Sequence, residues 1–135
     1  MSQQNPAESA YQQEAIVTLS EGAFAGGVFF KPVPAGKRLV VQYASVRIEV
    51  QPGQTARAAL ATHLNGDAAF HQFPVFCQGV IAGSPTNREA FTGGLATPVY
   101  QDGGSPAAAI DVSRSASDGS AVALGTISGY LVDMP

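Results

Sequence analysis

The sequence predicts an all-β fold: an antiparallel β-sandwich, jelly-roll-like, with eight to nine strands. Three observations carry this. Apolar residues recur with the two-residue period of strands rather than the period of helices. Fifteen Gly and nine Pro are spread over all 135 residues, which suits many turns. The stretch Pro34–Val50 opens with a turn and continues as a long β-branched run. Its even positions Val40, Ala44, Val46, Ile48 and Val50 are apolar. Its odd positions begin apolar (Leu39, Val41, Tyr43) and end polar (Ser45, Arg47, Glu49). Side chains alternate faces along a strand. The first half is therefore expected to be covered on both sides and the second half on one.

The elements follow in order. Residues 1–13 are polar and expected to form a mobile tail, leaving 14–135 as a single domain. Strands are predicted at Glu14–Leu19, Val28–Lys31 and Arg38–Val50. Gln51-Pro52-Gly53-Gln54 is a type II turn pattern, with Gly supplying φ > 0. Ala56–Leu64 follows. Its Ala and Leu content also suits a helix, but Asn65-Gly66 is a strong hairpin signal and Ala68–Cys77 reads as the return strand. Gly79–Gly94 is expected to be loop-rich, with a short strand near Arg88–Thr92. Thr97–Gln101 and Ala107–Ser113 flank a Gly-rich turn, and Ala121–Asp133 is the last long strand. In it Gly125 and Gly129 share a face with Ile127, where a ring from a facing sheet has room to lie.

Composition narrows the function classes. Charged residues make up 13% of the chain, about half the usual ~25%, so much of the surface must be uncharged. The net charge of −3 comes with seven scattered basic residues; the only adjacent pair is Lys37-Arg38. Nucleic-acid binding relies on clustered Lys and Arg and is not expected. Apolar runs are strand-length, so no membrane insertion is expected. The N-terminus has neither a basic region nor an apolar core, so no signal peptide is expected. The compartment stays open between the cytoplasm and secretion with a signal removed. A single cysteine, Cys77, permits no disulfide within the chain.

Catalytic motifs are missing. His63 and His71 flank Asp67, but a two-residue turn at Asn65-Gly66 opposes His63 to Ala68 and Leu60 to His71. The imidazoles then face opposite ways, and neither a metal nor another cofactor is expected. No Ser stands in a nucleophile elbow. Cys77 follows Phe-Pro-Val-Phe, which suggests a buried thiol without nucleophilic activation. No catalytic residues are assigned, and an enzyme is not expected.

The turn Pro34-Ala35-Gly36 before a strand resembles a fragment of the cupin pattern. That resemblance implies a small metal-binding β-barrel enzyme. The family's metal motif has a His-x-His pair and a Glu. No His-x-His occurs in this sequence, so no metal residue carries over.

Binding and assembly are the remaining classes. The segment Gly83–Gly94 carries Asn87, Arg88, Glu89 and Phe91, and Tyr100 and Asp102 lie at a neighbouring strand end. An aromatic ring beside planar polar groups suits a carbohydrate, so Asn87, Arg88, Glu89, Tyr100 and Asp102 form the candidate ligand site. The competing expectation is self-association. Few charges, 22 Ala and strands apolar on both faces suit contact between copies. Tyr43 and Tyr130 are the candidate interface residues. The expected function is a non-enzymatic module for self-assembly or recognition, with a homo-oligomer as the expected state. A lectin-like carbohydrate-binding module is the alternative.

Overall fold

Ten strands and no helix form in the computed structural model, which describes residues 10–83, 87–96 and 98–135. They are β1 Ala10–Leu19, β2 Ala25–Phe29, β3 Lys37–Val50, β4 Ala56–Leu64, β5 Asp67–Gln72, β6 Val75–Ile81, β7 Arg88–Leu95, β8 Val99–Asp102, β9 Ala109–Arg114 and β10 Ala121–Asp133. One sheet runs β1-β10-β3-β7-β6, with β8 pairing the start of β3. The other runs β2-β9-β4-β5. All pairings are antiparallel.

The pairing is nested. β1 pairs β10, β2 pairs β9, β3 pairs β7 and β8, and β4 pairs β5. The chain is thus one long hairpin rolled into two sheets, the jelly-roll winding. Between the sheets lie Val28, Leu60, Ile110 and Val112 from one side and Val46, Ile48, Val50, Ala123 and Ile127 from the other. At Gly125 a Cβ would come within 2.7 Å of Ile110 Cδ1 and 3.4 Å of Phe30 Cζ. The glycine lets a facing ring and a methyl approach, as its place in the strand suggests.

In β3 the alternation runs as expected from Ala44 onward, with Ala44, Val46, Ile48 and Val50 buried. The register against β10 then shifts: Tyr43 opposes Ser128, but Val41 opposes Gly129. Gln42 is the extra residue of a bulge, which reverses the phase of the strand. Leu39 and Val41 therefore face the core. Val40 faces outward yet is buried, in a row between Tyr130 on β10 and Tyr100 on β8. This is why the first half of the run is apolar on both faces.

Three expectations change. Residues 10–13, placed in the tail by their polarity, are paired with β10 from Tyr130 to Ile127. Gln13 points inward and its Oε1 accepts the Lys31 amide at 2.7 Å, stitching β1 to the end of β2. Residues 1–9 lie outside the described residues. The return strand Ala68–Cys77 is two strands. Pro74 has no amide to donate, and the chain leaves the four-stranded sheet at Phe73 and enters the other at Val75. Much of the loop expected over Gly79–Gly94 is strand: β6 and β7 pair in a hairpin. A register shift beside Gly79, with φ of 100°, hides the alternation there. These two strands bring the total to ten.

Candidate functional site

The residues proposed for a ligand site are not brought together. Glu89 pairs with Val50 and Asp102 with Arg38, at opposite ends of β3. Twelve residues of strand separate those partners, about 40 Å. At the first end, Arg88 Nη2 donates to Ser120 Oγ at 2.8 Å, and Glu89 Oε1 accepts the Gly53 amide at 2.9 Å. Asn87 is exposed beside them. The Ser84–Thr86 part of the candidate loop lies outside the described residues.

At the other end, Asp102 is buried and already occupied. Its Oδ1 accepts Arg38 Nε at 2.6 Å, and its Oδ2 accepts the Asn65 amide of the facing sheet at 2.8 Å. The Arg38 guanidinium bonded to it holds its carboxyl below the usual value of 3.8, and the Asn65 amide acts the same way. Neighbouring Gln101 is also buried. Its Oε1 accepts the His63 amide at 2.8 Å, and its Nε2 donates to Pro106 O at 2.8 Å. The pairing of β9 with β4 stops at Ala61. Gln101 and Asp102 satisfy two amides that lie beyond it, His63 at the end of β4 and Asn65 in the turn. Tyr100, on the face of β8 opposite Gln101, is exposed.

Sequence reasoning missed a second polar clamp. Arg114 is 5% exposed and makes six hydrogen bonds. It donates to the carbonyls of Ser20, Ala23, Ser117, Asp118 and Gly119 and to Gln54 Oε1. Nothing in the local sequence signals this, because five of the acceptors are backbone carbonyls, three on the turn just after Arg114 and two on the distant turn after β1, and the sixth is the remote Gln54 side chain.

The histidines lie as the hairpin register requires. Leu64 pairs Asp67, His63 pairs Ala68 and Leu60 pairs His71. His71 faces inward and its Nε2 lies 3.1 Å from Thr62 Oγ1. His63 shares the outer face of β4 with Ala61. Among the described residues no three His, Cys, Asp or Glu stand close enough to hold a metal. Cys77 is exposed, contrary to its apolar neighbours' suggestion. It lies on the edge strand β6, where every residue from Phe76 to Val80 is exposed.

The outer faces carry what remains. Tyr43 stands exposed on the six-stranded sheet, its ring over Gly94, where a Cβ would come within 2.7 Å of the tyrosine hydroxyl. Tyr130, the other candidate interface residue, is half-buried beside Val40. On that face Arg47 and Glu49 bridge each other at 3.2 Å, and Ser45 bonds Thr126. The four-stranded sheet differs. Its outer face presents the cross-strand row Phe29–Ala109–Ala61–Phe70, then Gly27–Asp111–Ala59–Gln72, then Ala25–Ser113–Arg57. Phe29 and Phe70 are 70% and 62% exposed at the two edges of a floor of Ala and Gly.

No family model matches the chain, and no curated protein matches it. Among solved structures, a chain of the "Cryo-EM structure of giant freshwater prawn Macrobrachium rosenbergii extra small virus (XSV) VLP" is similar at 12% identity. The match covers 93% of this chain and 81% of that one, with a TM-score of 0.35. At that score nothing about function follows from it.

Proposed function

We propose that the chain is a non-enzymatic β-sandwich module that associates with copies of itself. The exposed apolar surface carries this reading. Ile16, Phe24, Phe29, Tyr43, Phe70, Phe76, Val80 and Tyr100 are all at least 40% exposed. Single exposed apolar residues are ordinary, but Phe29 and Phe70 flank one small-residue sheet face from its two edges, and such an apolar face suits a contact surface. The edge strand β6 adds to it. It holds no charged residue and no proline, and the register shift beside Gly79 is its one guard as a free sheet edge. The strongest polar groups, Arg114, Asp102 and Gln101, are engaged in holding turns and strand ends together. Sedimentation equilibrium over a series from micromolar to submillimolar concentration tests the proposal. Species heavier than the 13.8 kDa chain are expected, and a single 13.8 kDa species throughout would end it.

A second reading, carbohydrate binding, is favoured by Tyr43. Its ring borders an open depression of about 490 Å³ on the six-stranded sheet, whose lining includes Gln12, Glu14, Thr126 and Ser128. A ring beside amide, carboxylate and hydroxyl groups suits a sugar face. A glycan array read with wild type and Tyr43→Ala decides it. Binding lost in the variant supports this reading, and no glycan bound by the wild type removes it.

A further inference from the structure

We propose that the chain dimerises face to face through the outer surface of its four-stranded sheet, Phe29 of each copy meeting Phe70 of the other and Arg57 meeting Asp111. The proposal rests on the self-association reading and names the surface that performs it.

The face is self-complementary. A two-fold contact must bring residue i onto j and j onto i. Place the axis parallel to the strands, between β9 and β4. It exchanges β2 with β5 and β9 with β4, and keeps each cross-strand row at its own height. The Phe29 row then faces itself reversed, so each Phe29 stands against the partner's Phe70. Between them lie only Ala109 and Ala61, small enough for two sheets to approach to the usual ~10 Å. Phe29 is already held for this. A Cβ at Gly27 would come within 2.8 Å of its ring, so the glycine lets the ring lie along the strand.

The charges agree with the same axis. Arg57 and Asp111 are exposed on this face, and neither is in a salt bridge among the described residues. They lie one row apart on β4 and β9. The exchange of β9 with β4 sets each Arg57 opposite the partner's Ser113 and one row from the partner's Asp111, which its long side chain can reach by leaning along the strand, twice per dimer. An open groove of about 510 Å³ is lined by Arg57, Ala59, Gln72, Asp111 and Ser113 among others, and leaves room for the incoming groups. The outer face of the six-stranded sheet offers no such match, since Arg47 and Glu49 already bridge each other.

The area places this contact at the small end of specific interfaces. Thirteen outward positions, the eleven of the three rows with His63 and Ala68, give roughly 400 Å² of sheet plane per copy at strand spacing, and more once the side chains above it are counted. Two copies together come to about 1,000 Å², the lower bound of specific interfaces. The dimer is thus a small, exchanging one, populated at micromolar to submillimolar concentration, not an obligate pair.

The experiment is sedimentation equilibrium over a concentration series, with thermal melts as the folding control. Arg57→Asp and Asp111→Arg each place like charges in contact, and each should raise the dimer dissociation constant at least about tenfold. The double exchange Arg57→Asp with Asp111→Arg should restore it. Phe70→Lys should act like the single reversals, and Tyr43→Lys should leave the dimer unchanged. A wild type that is monomeric throughout would overturn this proposal and the assembly reading together. An oligomer that survives the single reversals and Phe70→Lys, and yields to Tyr43→Lys or to changes on β6, would overturn the face and keep the assembly. A double exchange no tighter than the single reversals would overturn the Arg57–Asp111 contact.

Discussion

Arg38 and Asp102 lock two strands and two sheets with one carboxylate. Arg38 donates to it from β3, and Asn65 donates from the hairpin turn of the other sheet. An isolated cross-strand ion pair at a surface is worth little. This one differs because Asp102 is buried and both oxygens are used.

Asp102→Asn should therefore destabilise the fold by roughly 1–3 kcal/mol at neutral pH, through the charge-assisted bonds it loses. The folded carboxyl titrates below its usual 3.8. A group depressed in this way stabilises the fold fully above its unfolded value and ceases to do so as pH falls through the folded value. The difference in melting midpoint between wild type and variant should hold from pH 7 down to about 4 and shrink below it. A difference constant down to pH 2 would refute the assignment.

Much of the fold was legible because the long strands state their faces. β3 from Ala44 onward and β10 as far as Ile127 alternate cleanly, and Asn65-Gly66 sets the register of a whole hairpin where β4 itself does not alternate. What stayed hidden was irregular or remote. The bulges at Gln42 and beside Gly79 each add a residue, which breaks the period that identifies a strand. The sheet change at Phe73-Pro74 is a tertiary event with only a proline to mark it. The candidate ligand residues stand apart for a topological reason. Arg88 and Asp102 are near in sequence, but β7 and β8 pair with opposite halves of one 14-residue strand.

The Asn65-Gly66 turn has φ of 53° and 83°, both in the left-handed region that a type I′ turn requires. Gly66→Val forces a β-branched residue into that region. The expected cost is roughly 1–3 kcal/mol of backbone strain. Space is not the issue, since a Cβ at Gly66 meets nothing within 4 Å. Chemical denaturation of the variant measures the cost. An unchanged midpoint would show that the turn relaxes to another type.

Cys77 on the uncovered β6 edge should react with iodoacetamide in the native protein at a rate within about tenfold of the unfolded chain. Mass spectrometry of labelled protein reads this directly. Protection that lasts until denaturation would place a partner over β6 in place of the four-stranded sheet face.

Arg114 gives the last prediction. Five carbonyls and the Gln54 side chain converge on one guanidinium, from the turn after β1, the turn before β10 and the residues leading into β4. Arg114→Ala leaves these acceptors unpaired in a site with little solvent, and each buried orphan is costly. The total should reach roughly 3–5 kcal/mol, a midpoint lower by about 10–20 °C for a chain of this size. Arg114→Lys should recover only a minor part. An ammonium has three donors at a single point, whereas these acceptors surround a planar fork. The loss should also be local at first. Amide exchange should accelerate in Ser20–Ala23 and Ser115–Gly119 before the central strands β3 and β10 respond. A lysine variant as stable as wild type would show that the site needs only a positive charge, and that the geometry of the fork contributes nothing.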